Sequence, residues 1–308
     1  MLRLAILKPE FCYGPEVYAL HEHLRSFHSD KIFSQVLSLN ELKLRQSEFD
    51  VVYRMMGFSP SIFKDFKLPE IHDYASLSTG NFCFLKNIIK RNIQKKPIFR
   101  TFLNKNVFEE FKFNDGVQYG LRDMGVSKIF FNKYTFDYDN KDFDFCYVGE
   151  ISYERKIDVL INEFLEQEYK VLFIGENKTN YKSCEKLHFY GKVSNSEIPK
   201  LVNKCRFALN FIPNKYPYNL QTSTKCLEYA AIGIPIISNS YNWVEGFSYS
   251  NNIDILFLNM NKISDFNLHD FYFNSAKKCS SINIRNWDQI FEESGLIEFM
   301  LNLGVCEK

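Results

Sequence analysis

The stretch over residues 221–239, QTSTKCLEYAAIGIPIISN, constrains the fold more than any other part of the chain. A polar Thr/Ser-rich loop, a short helix, a glycine stop and an apolar strand follow one another there, in the order a Rossmann-like half-domain uses. Thr222, Ser223 or Thr224 can cap a helix through residues 225–230, because their hydroxyls accept from N–H groups that the first helical turn leaves without partners. Gly233 supplies the left-handed residue that ends such a helix, and residues 234–238 read as a buried parallel strand. A helix start at the carboxyl edge of a parallel sheet attracts anions, and Lys225 adds a full positive charge to it. That is a place for a phosphate or diphosphate. Glu228 comes one turn later, where its two oxygens can accept from the adjacent hydroxyls of a ribose. Phosphate with ribose means a nucleotide.

The run TKCLEYAAIGIPIIS resembles the donor-nucleotide segment of the GT-B glycosyltransferases, particularly the retaining family 4-like group, in which a Lys-x-x-Glu-Tyr helix precedes a small-residue turn, Gly-x-Pro and an apolar strand. The resemblance implies an α/β fold of GT-B type, two Rossmann-like doubly wound domains facing across a cleft. It also implies that Glu228 holds the ribose of a nucleotide sugar. Relatives often carry a second Glu eight residues earlier that contacts the sugar; this chain has Leu220 there, so the likeness speaks for the nucleotide and not for a particular sugar.

A length of 308 residues suits two domains of about 150 residues, each able to bury its own core. A net charge of +1 argues against nucleic acid as the main partner, since phosphate-backbone binding shows as a basic excess. The eight cysteines form no C-x-x-C pair and read as reduced core residues of a cytoplasmic protein. No apolar run reaches the ~18 residues that span a bilayer, and the first ten residues, MLRLAILKPE, lack the cleavage region of a signal peptide.

In the first half, residues 2–7 read as a strand, 8–14 as a loop ending at Gly14, and Pro15 opens a helix with Val17, Leu20, Leu24 and Phe27 on one side. In the family a glycine pair in this loop lets the backbone approach the donor phosphates; here Gly14 is the candidate. Further strands are expected at 32–37, 50–55, 69–72 and 98–103, making a parallel sheet with helices between. His72 and Asp73 then fall at a strand end, where ligands gather in open α/β sheets, and are the candidate catalytic residues. Residues 81–96, NFCFLKNIIKRNIQKK, form a candidate amphipathic helix with Phe82, Leu85, Ile89 and Ile93 on one face. Its five basic residues could rest on an anionic membrane surface or simply on solvent. Residues 122–126, RDMGV, resemble the short helix and turn that close the first domain of these enzymes.

The domain expectation is 1–130 for the acceptor-side domain, 131–143 for a linker, 144–285 for the nucleotide-sugar domain, and 286–308 for a helix that crosses back to the first. Two acidic D-x-D pairs, 137–139 and 142–144, could hold Mg²⁺ or Mn²⁺ against a diphosphate, but read as a solvated acidic linker. No metal is expected.

In the second half, YVGEISYERKIDVLINEF is similar to the family's strand, glycine loop and basic helix, which neutralise the donor diphosphate. Arg155 and Lys156 match the later basic position; the earlier one is Glu150. The resemblance places Val193 on the wall that cradles the base. Asn219 and Gln221, in a polar and aromatic loop before the opening helix, are candidates for contacts with the sugar. The expected function is transfer of a hexose-type sugar from a nucleotide diphosphate sugar, the co-substrate, to a carbohydrate or lipid-linked acceptor, with retention. In that reading the leaving diphosphate takes the proton; inversion would need Asp73 or His72 as base. The alternatives are a non-catalytic nucleotide-sugar-binding partner subunit and a nucleotide-sugar epimerase.

Overall fold

The computed structural model describes residues 1–9, 14–56, 67–131, 138–258, 263–279 and 284–304. The chain divides into two compact units, Met1–Gly125 with Arg285–Lys308, and Val126–Ile284. Part of the stretch expected as a linker, residues 132–137 with Asp137, lies outside the described residues, as do residues 10–13 of the first loop.

The first unit runs β1 (Leu2–Leu7), α1 (Pro15–Phe27), β2 (Ile32–Leu37), α2 (Leu39–Leu44), β3 (Val51–Met55), β4 (Glu70–Tyr74), α3 (Cys83–Ile93), β5 (Phe99–Phe102), α4 (Lys105–Phe111) and β6 (Tyr119–Leu121). Its six strands are all parallel, in the order β2-β1-β3-β4-β5-β6. Helices cover both faces, which is why β1 and β3 are nearly unbroken apolar runs. The second unit runs β7 (Phe143–Val148), α5 (Ile157–Glu166), β8 (Val171–Ile174), β9 (Leu187–Gly191), α6 (Ile198–Val202), β10 (Cys205–Asn210), α7 (Thr224–Ile232), β11 (Ile236–Ser238), α8 (Asn242–Asn251), β12 (Ile255–Phe257) and α9 (Leu268–Cys279). Its sheet is also six-stranded and parallel, ordered β12-β11-β10-β7-β8-β9. The chain then rejoins the first unit as α10 (Trp287–Glu293) and α11 (Leu296–Leu303).

Local chemistry explains most boundaries. Ser38 and Glu41 form a capping box at α2, and Asn286 with Gln289 another at α10. The single helix expected at the C-terminal end is two, because Gly295 turns left-handed between them. Trp287, Phe291, Leu296 and Met300 nonetheless complete one core with β1, β3 and α1. Gly120 and Gly125 are there because this segment lies against them: a Cβ on Gly120 would stand 1.9 Å from the Ser294 carbonyl oxygen, and one on Gly125 2.6 Å from the Trp287 Cα.

One strand of the first unit had no counterpart in the sequence reading, and two expectations need correction. β6 is short and exposed on alternate residues, so it carried no apolar run to read. Residues 122–126 are not helical, and Arg122 is fully buried. The helix at α3 faces the opposite way from an ordinary covering helix. Its Phe82, Phe84, Leu85, Ile88 and Ile93 are exposed, Phe82 at 77 %, while Asn87 and Lys90 point inward at 6 % each. Of the cysteines, Cys146, Cys205 and Cys226 are core residues, whereas Cys184 is exposed.

Candidate functional site

At the carboxyl edge of the second sheet, β7, β8 and β9 each meet a glycine with positive φ: Gly149 at 137°, Gly175 at 145° and Gly191 at 86°. The Gly149 N–H donates to the Ile174 carbonyl at 2.8 Å, and the Gly175 N–H to the Gly191 carbonyl at 2.9 Å. A Cβ on Gly175 would lie 2.0 Å from the Gly149 oxygen, and one on Gly149 2.5 Å from Lys225 Cε. Only glycine allows these backbones to stack so closely with the lysine stem laid across them.

α7 begins at this edge. Ser223 is its N-cap: Oγ accepts from the Cys226 N–H at 3.3 Å and donates to Asn210 Oδ1 at 2.7 Å. Asn210, the last residue of β10, donates in turn to Ser238 Oγ and the Tyr241 hydroxyl, each at 3.0 Å. These four buried side chains tie the helix start to the ends of β10 and β11. Ser223, a candidate donor-binding residue, is therefore spent on positioning α7. Tyr229 holds the other side, its hydroxyl accepting from the Val148 N–H at 2.9 Å.

The helix so fixed presents Thr224, Lys225 and Glu228. The N–H groups of Thr224 and Lys225 belong to the first turn and have no intrahelical acceptor. Lys225 Nζ sits 4.7 Å over the Tyr147 ring and donates to its hydroxyl at 3.1 Å. Glu228 is half-buried, and no described residue hydrogen-bonds to it. Burial raises its carboxyl pKa to about 7, with Lys225 pulling the other way. Its two oxygens are left to accept from a ligand that brings hydroxyl donors. Asn219 Oδ1, in the short 3₁₀ turn before α7, is a buried acceptor with no hydrogen-bond partner among the described residues.

The other candidates divide. Arg155 Nε lies 3.8 Å from Glu150, whose carboxylate also takes Lys178 Nζ at 2.6 Å, so Glu150 does not leave the edge negative. Lys178 enters from the loop after β8, which runs beside residue 151 through a parallel bridge to Asn177; nothing near it in sequence marked it. Lys156 is exposed at the left-handed N-cap of α5. Val193 is half-buried just beyond Gly191, Thr222 is half-buried ahead of Ser223, and Gln221 donates to the Pro217 carbonyl at 3.3 Å. The acidic residues 142 and 144 lie at the opposite, amino edge: Asp144 is bonded to Arg206, and Asp142 faces Lys204 at 3.3 Å.

In the first unit the candidates are placed differently. Gly14 caps α1 with φ −122°, and is glycine because Pro9 Cγ and Met55 Sδ would stand 2.8 and 3.0 Å from a Cβ. It is a packing residue, covered from solvent. His72 and Asp73 lie inside β4, which runs two residues further than expected, and neither is exposed. Asp73 accepts from Arg122 at 3.0 Å and from the Thr101 hydroxyl at 2.8 Å. His72 Nε2 lies 2.8 Å from Glu70, which also pairs with Arg54 at 2.7 Å. Burial lowers the His72 pKa to about 4. Among the described residues both are covered side chains engaged with protein partners, Asp73 with a cation and His72 held neutral near pH 7 by burial, so neither stands at the open strand end where the sequence reading placed it.

No known family and no curated protein matches the chain by sequence. Solved structures do match it. Sucrose-phosphate synthase from Thermosynechococcus elongatus aligns with a TM-score of 0.70, over 98% of this chain and 100% of that one, at 9% identity. HepE from Anabaena, solved in complex with UDP-glucose, gives 0.63 over 100% and 99% at 11% identity. AviGT4, a glycosyltransferase involved in avilamycin A biosynthesis, gives 0.62 over 99% and 98% at 11% identity. The chain has the GT-B fold.

Proposed function

We propose that the protein is a nucleotide-sugar-dependent glycosyltransferase whose second unit holds the donor. The observation that carries the reading is Glu228: a half-buried carboxyl with no hydrogen-bond partner among the described residues, one turn from Lys225 on a helix whose Thr224 and Lys225 N–H groups have no intrahelical acceptor. Adjacent ribose hydroxyls would satisfy its two oxygens, while Lys225 and the α7 N-terminus take the diphosphate, with Lys156 and Arg155 as further cations. Positive charge at the diphosphate stabilises the negative charge that builds on it as the bond to the sugar breaks. The reading assigns that role to side chains and needs no metal. Likeness to HepE, solved with UDP and with UDP-glucose, and to an alpha-glucosyltransferase solved with UDP supports a uridine donor.

Retention is the favoured stereochemistry. His72 and Asp73, the candidate bases for inversion, are closed inside β4, so the departing diphosphate is left to accept the acceptor's proton as the acceptor oxygen bonds to the anomeric carbon. The outward apolar side of α3, flanked by Lys86, Arg91, Lys95 and Lys96, supports a lipid-linked acceptor reached at an anionic cytoplasmic membrane face. No helix among the described residues is long and apolar enough to cross a membrane, so such an enzyme would sit on the surface.

The test is donor turnover over a panel of nucleotide sugars. Slow release of nucleoside diphosphate that Glu228→Ala abolishes, together with unchanged turnover in EDTA, is expected. Conversion of one nucleotide sugar into another without release would indicate an epimerase, and tight binding with neither would indicate a binding subunit. Nucleotide affinity unchanged by Glu228→Ala would remove the reading altogether.

A further inference from the structure

In the first unit, where α1 ends and α10 packs against it, two histidines and two carboxylates converge. His23 Nδ1 lies 2.9 Å from Asp288 Oδ1, and its Nε2 lies 3.0 Å from Glu292 Oε1. The same Glu292 oxygen is 2.8 Å from His28 Nε2. His23 is buried, its side chain 1 % exposed, with the rings of Phe27 and Phe291 centred 5.1 and 5.7 Å away. His28 is 16 % exposed and Glu292 49 %.

A neutral imidazole has one N–H. If His23 Nδ1–H donates to Asp288, its Nε2 lone pair points at a carboxylate lone pair, and a positive charge has to stand between them. A proton can supply it, with His28 donating from its own Nε2–H to the same carboxylate oxygen and the two rings centred 5.5 Å apart. A single divalent cation does the same work with both rings neutral. The ligand atoms of His23, His28 and Glu292 all lie within 4.8 Å of one another, against roughly 3.3 Å between ligand atoms of a tetrahedral Zn²⁺ with bonds of about 2.0 Å. Asp288 then fills the role that carboxylates take behind metal-bound histidines: it accepts from the far ring nitrogen and fixes which one is free to ligate.

We propose that His23 Nε2, His28 Nε2 and a Glu292 oxygen bind one Zn²⁺ ion, with Asp288 as the positioning acceptor and water in the fourth place. The ion clips α10 to α1 and so closes the whole intervening chain into a loop, the circumstance in which a crosslink removes the most disorder from the unfolded state. Its role is structural: the ligands stand at the end of α1, and the donor edge lies in the other unit.

The test uses the full chain, stripped with a chelator and dialysed, then titrated calorimetrically with Zn²⁺ and with Co²⁺. One equivalent is expected per chain, with the melting temperature raised by roughly 5–10 °C at a hundredfold excess over Kd. His28→Asn and Glu292→Gln, both at partly exposed positions and checked for fold by circular dichroism, should abolish this binding, and Asp288→Asn should weaken it about 10–100-fold. UDP-sugar affinity should be the same in all of them. Failure to bind either ion, binding unchanged in His28→Asn, or a thiolate-to-Co²⁺ absorption that reports cysteine ligands would each overturn the site. So would a melting temperature that follows pH and ignores metal, since the histidines would then be held by protons.

Discussion

The two units share one plan, six parallel strands with helices on both sides, yet spend their polar side chains in opposite ways. In the first, charge is turned inward and neutralised within the protein: Arg122 with Asp73 and Glu16, and Arg54 with Glu70 and His72, all buried. In the second, the carboxyl edge keeps, among the described residues, a carboxyl and an amide oxygen with no hydrogen-bond partner, beside the N–H groups of Thr224 and Lys225 at the start of a capped helix. A common topology therefore fixes where a ligand can sit but not whether a given sheet accepts one. That depends on whether the polar groups left over stand beyond the carboxyl ends of the strands, as Asn219 Oδ1 does, or inside the sheet, as His72 Nδ1 does.

The contrast can be broken most sharply at Arg122. Arg122→Met leaves Asp73 and Glu16 as buried charges without a cation, and is expected to cost about 3–5 kcal/mol in denaturant unfolding. A loss below about 1 kcal/mol would mean the first unit's charges are not a closed network. The next effect is on pH. Glu228 holds its proton more tightly folded, at about 7, than unfolded, at about 4.5, so the stability this gives is full below pH 4.5 and lost as pH rises through 7. It amounts to about 3 kcal/mol at most, and Glu228→Gln should flatten that part of the profile. Because ribose hydroxyls favour the ionised form, nucleotide affinity should rise as pH goes from 6 to 8 in the wild type and stay level in Glu228→Gln. His72 slopes the other way: its lowered pKa means stability present above pH 6.5 and lost as pH falls towards 4.

Smaller in energy, Gly175→Ala should destabilise by roughly 1–3 kcal/mol through its positive φ and the encounter with the Gly149 oxygen, and should weaken nucleotide binding by shifting the backbone under Lys225. Smallest is the membrane term. Replacing Lys95 and Lys96 by alanine should weaken binding to phosphatidylserine vesicles by about 1 kcal/mol per charge, measured by sedimentation; equal binding would return α3 to being a solvated surface.

Sequence alone carried the second unit further than the first. Ser223, Thr224 and Gly233 mark the ends of α7 through chemistry local to the helix, and β8 with residues 145–148 of β7 and 207–209 of β10 are continuous apolar runs, so spacing sufficed. The partners that hold α7 in place were not legible. Asn210, Ser238 and Tyr241 meet only when the ends of β10 and β11 are brought beside the start of α8, and Lys178 reaches Glu150 from another loop. In the first unit, His72 and Asp73 misled because a strand end read from pattern was two residues short, enough to move both from an edge into the interior. α3 shows a further limit. A helical period reveals that two faces differ, and the structure alone tells which one the protein covers.

That α10 and α11 complete the core of a unit whose other elements all precede residue 126 has a consequence at the ribosome. Residues 126–284 are a contiguous stretch and can fold as soon as they emerge, whereas β1, β3 and α1 must wait for Trp287, Phe291 and Met300 before their apolar surface is covered. The part of the protein made first is thus finished last. In the interval a nascent chain exposes a half-built sheet that chaperones would be expected to recognise.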